Sequence, residues 1–176
     1  MMQINVSTTF LQYAYSKGDY DKRGEHELEQ IFEQNQLNKP ASDQEITLAE
    51  EILGRKLPPD FIQLLKIANG GYVNAAHRAF PADFQIESGD AFIEVEEIMG
   101  VNEGGILLSD YFIQEWGLPD QLVLFSGSGH AWLAFNYEGR DTPNVVYVEP
   151  DDGNGNNYHV LAESFTEFVG KLTKIN

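Results

Sequence analysis

The feature that most constrains this chain is the run Gly54-Arg55-Lys56-Leu57-Pro58-Pro59-Asp60-Phe61, a corner set between two amphipathic stretches. Upstream of it, Ser42 stands three residues before Glu45, the spacing at which a hydroxyl and a carboxylate cap one another's exposed amides. Ile46, Ala49, Ile52 and Leu53 then recur at helical spacing and form a stripe to be buried. Gly54 supplies a helix stop at low steric cost. Pro59 has its φ preset for a first helical position, and Asp60 complements the amides of that first turn. Phe61, Leu64, Leu65 and Ala68 make a second stripe, stopped by Asn69-Gly70-Gly71. Two helices joined by a tight Leu-Pro corner must bury both stripes against another layer.

The remaining pattern supplies that layer as a sheet. After Tyr72 the apolar runs shorten, and Phe84-Gln85-Ile86-Glu87 and Phe92-Ile93-Glu94-Val95 look like strands. Leu122-Val123-Leu124-Phe125 and Ala131-Trp132-Leu133-Ala134-Phe135 flank Ser126-Gly127-Ser128-Gly129 and predict an antiparallel hairpin, with Val145-Val146-Tyr147-Val148 as a third strand. A helix is expected over residues 106–115, ended by the turn Gly117-Leu118-Pro119-Asp120, and another over 27–36 with Leu28, Ile31 and Phe32 on one side. Ser164 and Glu167 repeat the capping spacing and open a closing helix whose stripe is Leu161, Phe165, Phe168, Val169 and Leu172. The expected fold class is α+β, helices flanking a central, mostly antiparallel sheet. A chain of 176 residues suits one such domain, placed at 25–176, with residues 1–24 as an N-terminal extension.

Charge narrows the function. Residues 1–78 carry 11 acidic and 8 basic side chains, whereas residues 79–176 carry 17 and 3, and no Lys or Arg intervenes between Arg78 and Arg140. Such a surface repels phosphate backbones and attracts a basic partner, so direct binding of nucleic acid is not expected. The chain has no cysteine, which excludes disulfides, Cys-rich zinc sites and thiol catalysis. Its opening residues lack a signal-peptide pattern and no stretch is apolar for the length of a membrane span, so a cytoplasmic, soluble protein is expected.

No catalytic constellation emerges. His26, His77, His130 and His159 are scattered without metal-ligand spacing. Ser126 and Ser128 lie near His130, but glycine-serine composition at a hairpin turn is explained by backbone geometry alone. Asp152, Asn154 and Asn156 alternate, and Glu163 falls where a calcium loop would close, but Asn157 replaces the required glycine and a strand precedes the loop. An ordinary Asn-Gly turn is the simpler reading, and no cofactor is expected. Trp132 reads as core; Trp116, beside the turn with Glu115 and Asp120, is expected to close the preceding helix onto the core, with a partial anchor on the acidic surface as the alternative.

The order of these blocks resembles the SUKH superfamily, Smi/Knr type. The blocks are Glu51-Ile52-Leu53-Gly54, Leu57-Pro58-Pro59-Asp60-Phe61, Leu64-Leu65 and Asn69-Gly70-Gly71, then Trp116-Gly117-Leu118-Pro119-Asp120 followed by Leu122-Val123-Leu124-Phe125, then Ala162-Glu163-Ser164-Phe165-Thr166-Glu167-Phe168-Val169. The likeness spans roughly residues 25–173 and departs at Ser126-Gly127-Ser128-Gly129-His130, where relatives often have a more acidic turn. The resemblance implies a SUKH-like α+β domain with Leu57, Pro58, Asn69, Gly70, Gly71, Trp116, Leu118 and Pro119 as scaffold makers. It also implies a bacterial immunity protein that binds a cognate toxin domain, frequently a nuclease. The expected mechanism is stoichiometric masking of the toxin's basic cleft by an acidic face that includes Asp110, Glu115, Asp120, Glu149, Asp151 and Asp152. Two alternatives stand beside it: a regulatory or scaffold domain unconnected to toxins, and a calcium-dependent enzyme. The oligomeric state is left open, since net charge opposes self-association and a local apolar patch would favour it.

Overall fold

The computed structural model describes residues 22–24, 26–86, 88–150 and 157–175. The corner folds as its sequence dictates. Helix α1, Asp43–Leu53, opens on a reciprocal capping box between Ser42 and Glu45, and Gly54 closes it in the left-handed conformation at φ 63°. Helix α2, Pro59–Ile67, starts on Pro59 and buries Phe61, Leu64 and Leu65 completely. Of the α1 stripe, Ile46 and Ala49 are buried, but Ile52 is 53% exposed and faces away from the core.

Strands β1 (Gly71–Tyr72) and β4 (Glu97–Ile98) pair antiparallel, as do β2 (Ala79–Pro81) and β3 (Phe92–Glu94). The 3₁₀ turn Ile106–Leu108 leads into helix α3, Ser109–Trp116, as the spacing predicts. The main sheet is antiparallel in the order β5-β6-β7-β8, formed by Leu122–Ser128, Ala131–Asn136, Asn144–Glu149 and Asn157–Ala162. Helix α4, Phe165–Lys171, completes the fold, and its Ser164 cap accepts from the Glu167 amide. The α+β class with helices flanking a central antiparallel sheet is therefore observed.

Alternation along β5 and β6 sends side chains to two faces. On one face Val123, Phe125, Leu133 and Phe135 join α1, α2 and α4 in the main core; on the other Leu122, Leu124, Trp132 and Ala134 pack with Ile113 of α3. Phe61 is the centre of the first, its ring 5.0 Å from Phe135 and 5.1 Å from Phe165, both edge-on. Such pairs contribute about 0.5–1.5 kcal/mol each beyond simple burial.

Polar bonds fix the corner to this core. The Tyr137 hydroxyl donates to the Lys56 carbonyl at 2.7 Å, and burial pushes its pKa well above the ordinary phenol value. Asp60 accepts from both the amide and the hydroxyl of Thr166, at 2.7 and 2.9 Å, so the corner helix caps α4. Gly70 meets Gly100 so closely that a Cβ there would stand 2.4 Å from the Gly100 nitrogen, and Asn69 Oδ1 accepts from Val101 at 2.7 Å. The Asn-Gly-Gly stop is thus a backbone crossing.

Four expectations are corrected. Residues 27–36 do not form one helix: the helical segment lies before Leu28, Phe32 bridges to Val73, and only Gln34–Gln36 coils again, as 3₁₀. Glu33 is held there by the ion pair with Arg78 at 3.1 Å, so tertiary bonding overrides the helical periodicity. No strand covers Phe84-Gln85-Ile86; the strand lies earlier, at Ala79–Pro81. Leu161 belongs to β8 instead of the closing helix, and Asn157 lies in that strand as well. The remainder of the expected polar loop, 151–156, lies outside the described residues.

Candidate functional site

The segment from Asp90 to Met99 is built to be half wet. Ile93, Val95 and Ile98 point into the core, while Glu94, Glu96 and Glu97 are exposed. Met99 anchors the segment to the main sheet, its amide donating to the Phe125 carbonyl at 2.7 Å. Beyond that bond lies a groove of ≈ 420 Å³. Asp90, Glu94, Glu96 and Glu97 line it, together with Ser126, Gly127, Ser128 and Ala131 from the β5–β6 hairpin, over an apolar floor that includes Phe92, Leu133 and Tyr147. A second cavity of ≈ 280 Å³ shares Ser88, Ala131 and Tyr147 with it and extends to His130 and Glu149.

The hairpin's shape follows from Gly127 and Gly129. Gly127 sits at φ +122°, where an added Cβ would lie 2.3 Å from the Ala131 carbonyl oxygen, and a Cβ on Gly129 would lie 2.1 Å from the Trp116 ring. Trp116, 39% exposed, therefore lies against the hairpin and braces the groove's wall from α3. Trp132 is buried, as expected.

The electrostatics divide sharply. Glu27, Glu33, Asp43 and Glu50 each form an ion pair with a cationic partner or His77, and Glu163 and Glu167 pair with Arg140 and Lys171. Asp90, Glu94, Glu96 and Glu97 have no ion pair among the described residues. Like charges over an apolar floor concentrate negative potential in the groove.

Of the residues expected to bind a partner, Asp110 and Glu115 lie exposed on α3 and Asp120 in the exposed turn after it; none lines the groove. Glu149 is only 7% exposed and accepts from the Tyr147 hydroxyl at 2.7 Å, yet it lines the second cavity. Asp151 and Asp152 lie outside the described residues, as do Asn154 and Asn156 of the calcium-loop pattern; Glu163 is engaged with Arg140 at 3.1 Å. The groove carboxylates at 90, 94, 96 and 97 were not among the sequence candidates. Their signal was present, as acidic residues alternating with Ile93 and Val95 inside the stretch without cations.

Among the described residues no hydrogen bond joins Ser126 or Ser128 to His130. Among the described residues no group of three or more His, Cys, Asp or Glu side chains could hold a metal ion. None of their helices is long and apolar enough to cross a membrane.

The fold and site together define a layered α+β domain with an acidic groove whose carboxylates have no ion pair among the described residues. Residues 40–171 match the SMI1 / KNR4 family (SUKH-1), and the chain belongs to that family. Domains of this family are typically non-catalytic and bind other proteins, in general a toxin domain. No curated protein matches the chain.

Proposed function

We propose that this protein neutralises a cognate bacterial toxin domain, a nuclease with a basic active cleft, by stoichiometric masking in the cytoplasm. One observation carries the proposal. In the first part of the chain Glu27, Glu33, Asp43 and Glu50 are matched by cations, whereas Asp90, Glu94, Glu96, Glu97, Asp110, Glu115 and Asp120 stand without ion pairs among the described residues. Uncompensated charge of one sign steers a partner of the other sign into encounter, and a packed centre then slows release. A single interface of this kind buries about 1,200–2,000 Å² in total. Glu149, which lines the second cavity, and Asp151 and Asp152, which follow it in the sequence, are proposed as further partner contacts.

The test is a titration of the basic domain encoded beside this protein, read as nuclease activity. Complete loss of activity at one equivalent is expected, with weakened inhibition when Asp151 and Asp152 are both changed to Lys. Persistent activity at a large excess of the protein would overturn the proposal.

A further inference from the structure

We infer that the groove over the face of the main sheet is a socket for one lysine side chain of the bound partner, with the Ser126 hydroxyl as the hydrogen-bond acceptor on its floor. This contact lies within the masking interface proposed above and rests on it.

A β-bulge puts that hydroxyl where it is. Alternation along β5 sends Val123 and Phe125 into the main core and Leu122 and Leu124 to the other face, so an unbroken strand would turn Ser126 to the side of Leu124. The register instead shifts between Leu124 and Ser126, which leaves Ser126 opposite Leu133, itself opposite Tyr147. Side chains directly opposite one another share a face of the sheet. Ser126 therefore stands in a row with Leu133 and Tyr147, and all three line the groove. Bulges beside functional sites commonly re-aim a side chain in this way.

The re-aimed hydroxyl is buried and unused. Ser126 is 3% exposed, yet its side chain has no hydrogen-bond partner among the described residues. Ser109, as deeply buried, donates to the Ile106 carbonyl and accepts from the Leu124 amide. Buried hydroxyls are nearly always bonded, and the groove is where a partner reaches this one.

The rest of the groove selects the occupant. Leu133 and Phe92 offer apolar surface beside the hydroxyl, and Glu94, Glu96 and Glu97 add negative charge that no described cation neutralises. Its volume of ≈ 420 Å³ lies in the range of about 300–1,000 Å³ usual for binding pockets. Lysine answers all three features, with an apolar stem, a positive charge and several donors on one compact head. An aliphatic side chain leaves the hydroxyl and the carboxylates unanswered, and an acidic one is repelled. Arginine's planar fork matches paired carboxylate oxygens better than a single hydroxyl. A free metal ion gains nothing from the apolar surface, and no described group of three or more acidic or histidine side chains could hold one.

The experiment titrates the full ¹⁵N-labelled chain with Nα-acetyl-lysine N-methylamide and with its norleucine and arginine counterparts, followed by amide chemical shifts at low ionic strength. Norleucine keeps the stem and removes the ammonium. The lysine compound should shift the Ser126, Leu133 and Tyr147 amides saturably, with an affinity in the millimolar range. The norleucine compound should bind about tenfold weaker or worse, and Ser126→Ala should weaken lysine binding by about threefold or more. The absence of saturable shifts at those amides, equal binding of the norleucine or arginine compound, or unchanged lysine binding in Ser126→Ala would each overturn the socket. The norleucine comparison leaves the protein unaltered, so it decides the matter even where the variant misfolds. Masking and socket fail separately. A protein that takes the lysine compound but does not inhibit the nuclease proposed as its partner removes masking and leaves the socket. One that inhibits the nuclease without binding the lysine compound removes the socket and leaves masking.

Discussion

Replacing Asp60 by Ala removes the carboxylate that joins the corner helix to the closing helix. Asp60 Oδ2 accepts from the Thr166 amide at 2.7 Å and from its hydroxyl at 2.9 Å, across 106 residues of chain. Thr166 is 9% exposed, so water does not readily replace the lost acceptor. A hydrogen bond to a charged group contributes about 1.5–3 kcal/mol, and two bonds sharing one oxygen are not additive, which gives about 2–4 kcal/mol for the pair. At about 2–4 °C per kcal/mol for a domain of this size, Tm falls by roughly 4–16 °C. Asp60 Oδ1 also accepts from the Phe61 amide at 3.0 Å, a local contribution that must be separated from the tertiary one. Urea denaturation of Asp60→Ala, Thr166→Val and the double variant separates them, with an expected coupling of at least about 1 kcal/mol. Asp60→Asn, which keeps an acceptor, should lose less than half as much. A cost within about 0.5 kcal/mol of the wild type, or strict additivity with Thr166→Val, would refute the assignment of Asp60 as a tertiary cap.

Three further outcomes are expected. Gly70→Ala places a Cβ 2.4 Å from the Gly100 nitrogen at a residue with φ +75°, so denaturation should show a loss of at least about 2 kcal/mol, and a loss under about 1 kcal/mol would contradict the crossing. Ser109→Ala strips the acceptor of the Leu124 amide and the donor to the Ile106 carbonyl at a site 1% exposed; a cost of about 1–3 kcal/mol with faster exchange at Leu124 is the measurable result. Burial raises the folded-state pKa of Tyr137 above its unfolded value, so its contribution is fully present below about pH 10 and is lost as pH rises beyond that; denaturation at pH 9 and pH 11 should show the fall, and Tyr137→Phe should flatten it.

What was legible in the sequence was what local chemistry decides. The Ser42–Glu45 box, the Gly54 stop, the Pro59 start and the β5–β6 hairpin are set by residues a few positions apart. Periodicity misled where a distant partner decides the backbone. Glu27 to Gln36 has helical spacing, but the Phe32–Val73 bridge and the Glu33–Arg78 ion pair hold it open. Strand β8 was hidden because Leu161 fits the helical stripe that continues through Phe165, and because Tyr158 and Val160 face outward at 39% and 53% exposure on an edge strand. The groove joins residues 90–97 to residues 126–131, segments whose proximity no local pattern encodes. The sequence candidates were chosen near element ends, so the acidic character was found and its most enclosed part was missed.

The most direct measurement is the association rate between this protein and the basic toxin domain proposed as its partner, followed by stopped-flow fluorescence across a series of salt concentrations. Electrostatic steering requires the association rate to fall by about tenfold or more between low and physiological ionic strength while dissociation changes much less. An association rate that stays flat across that range would contradict charge complementarity as the basis of recognition.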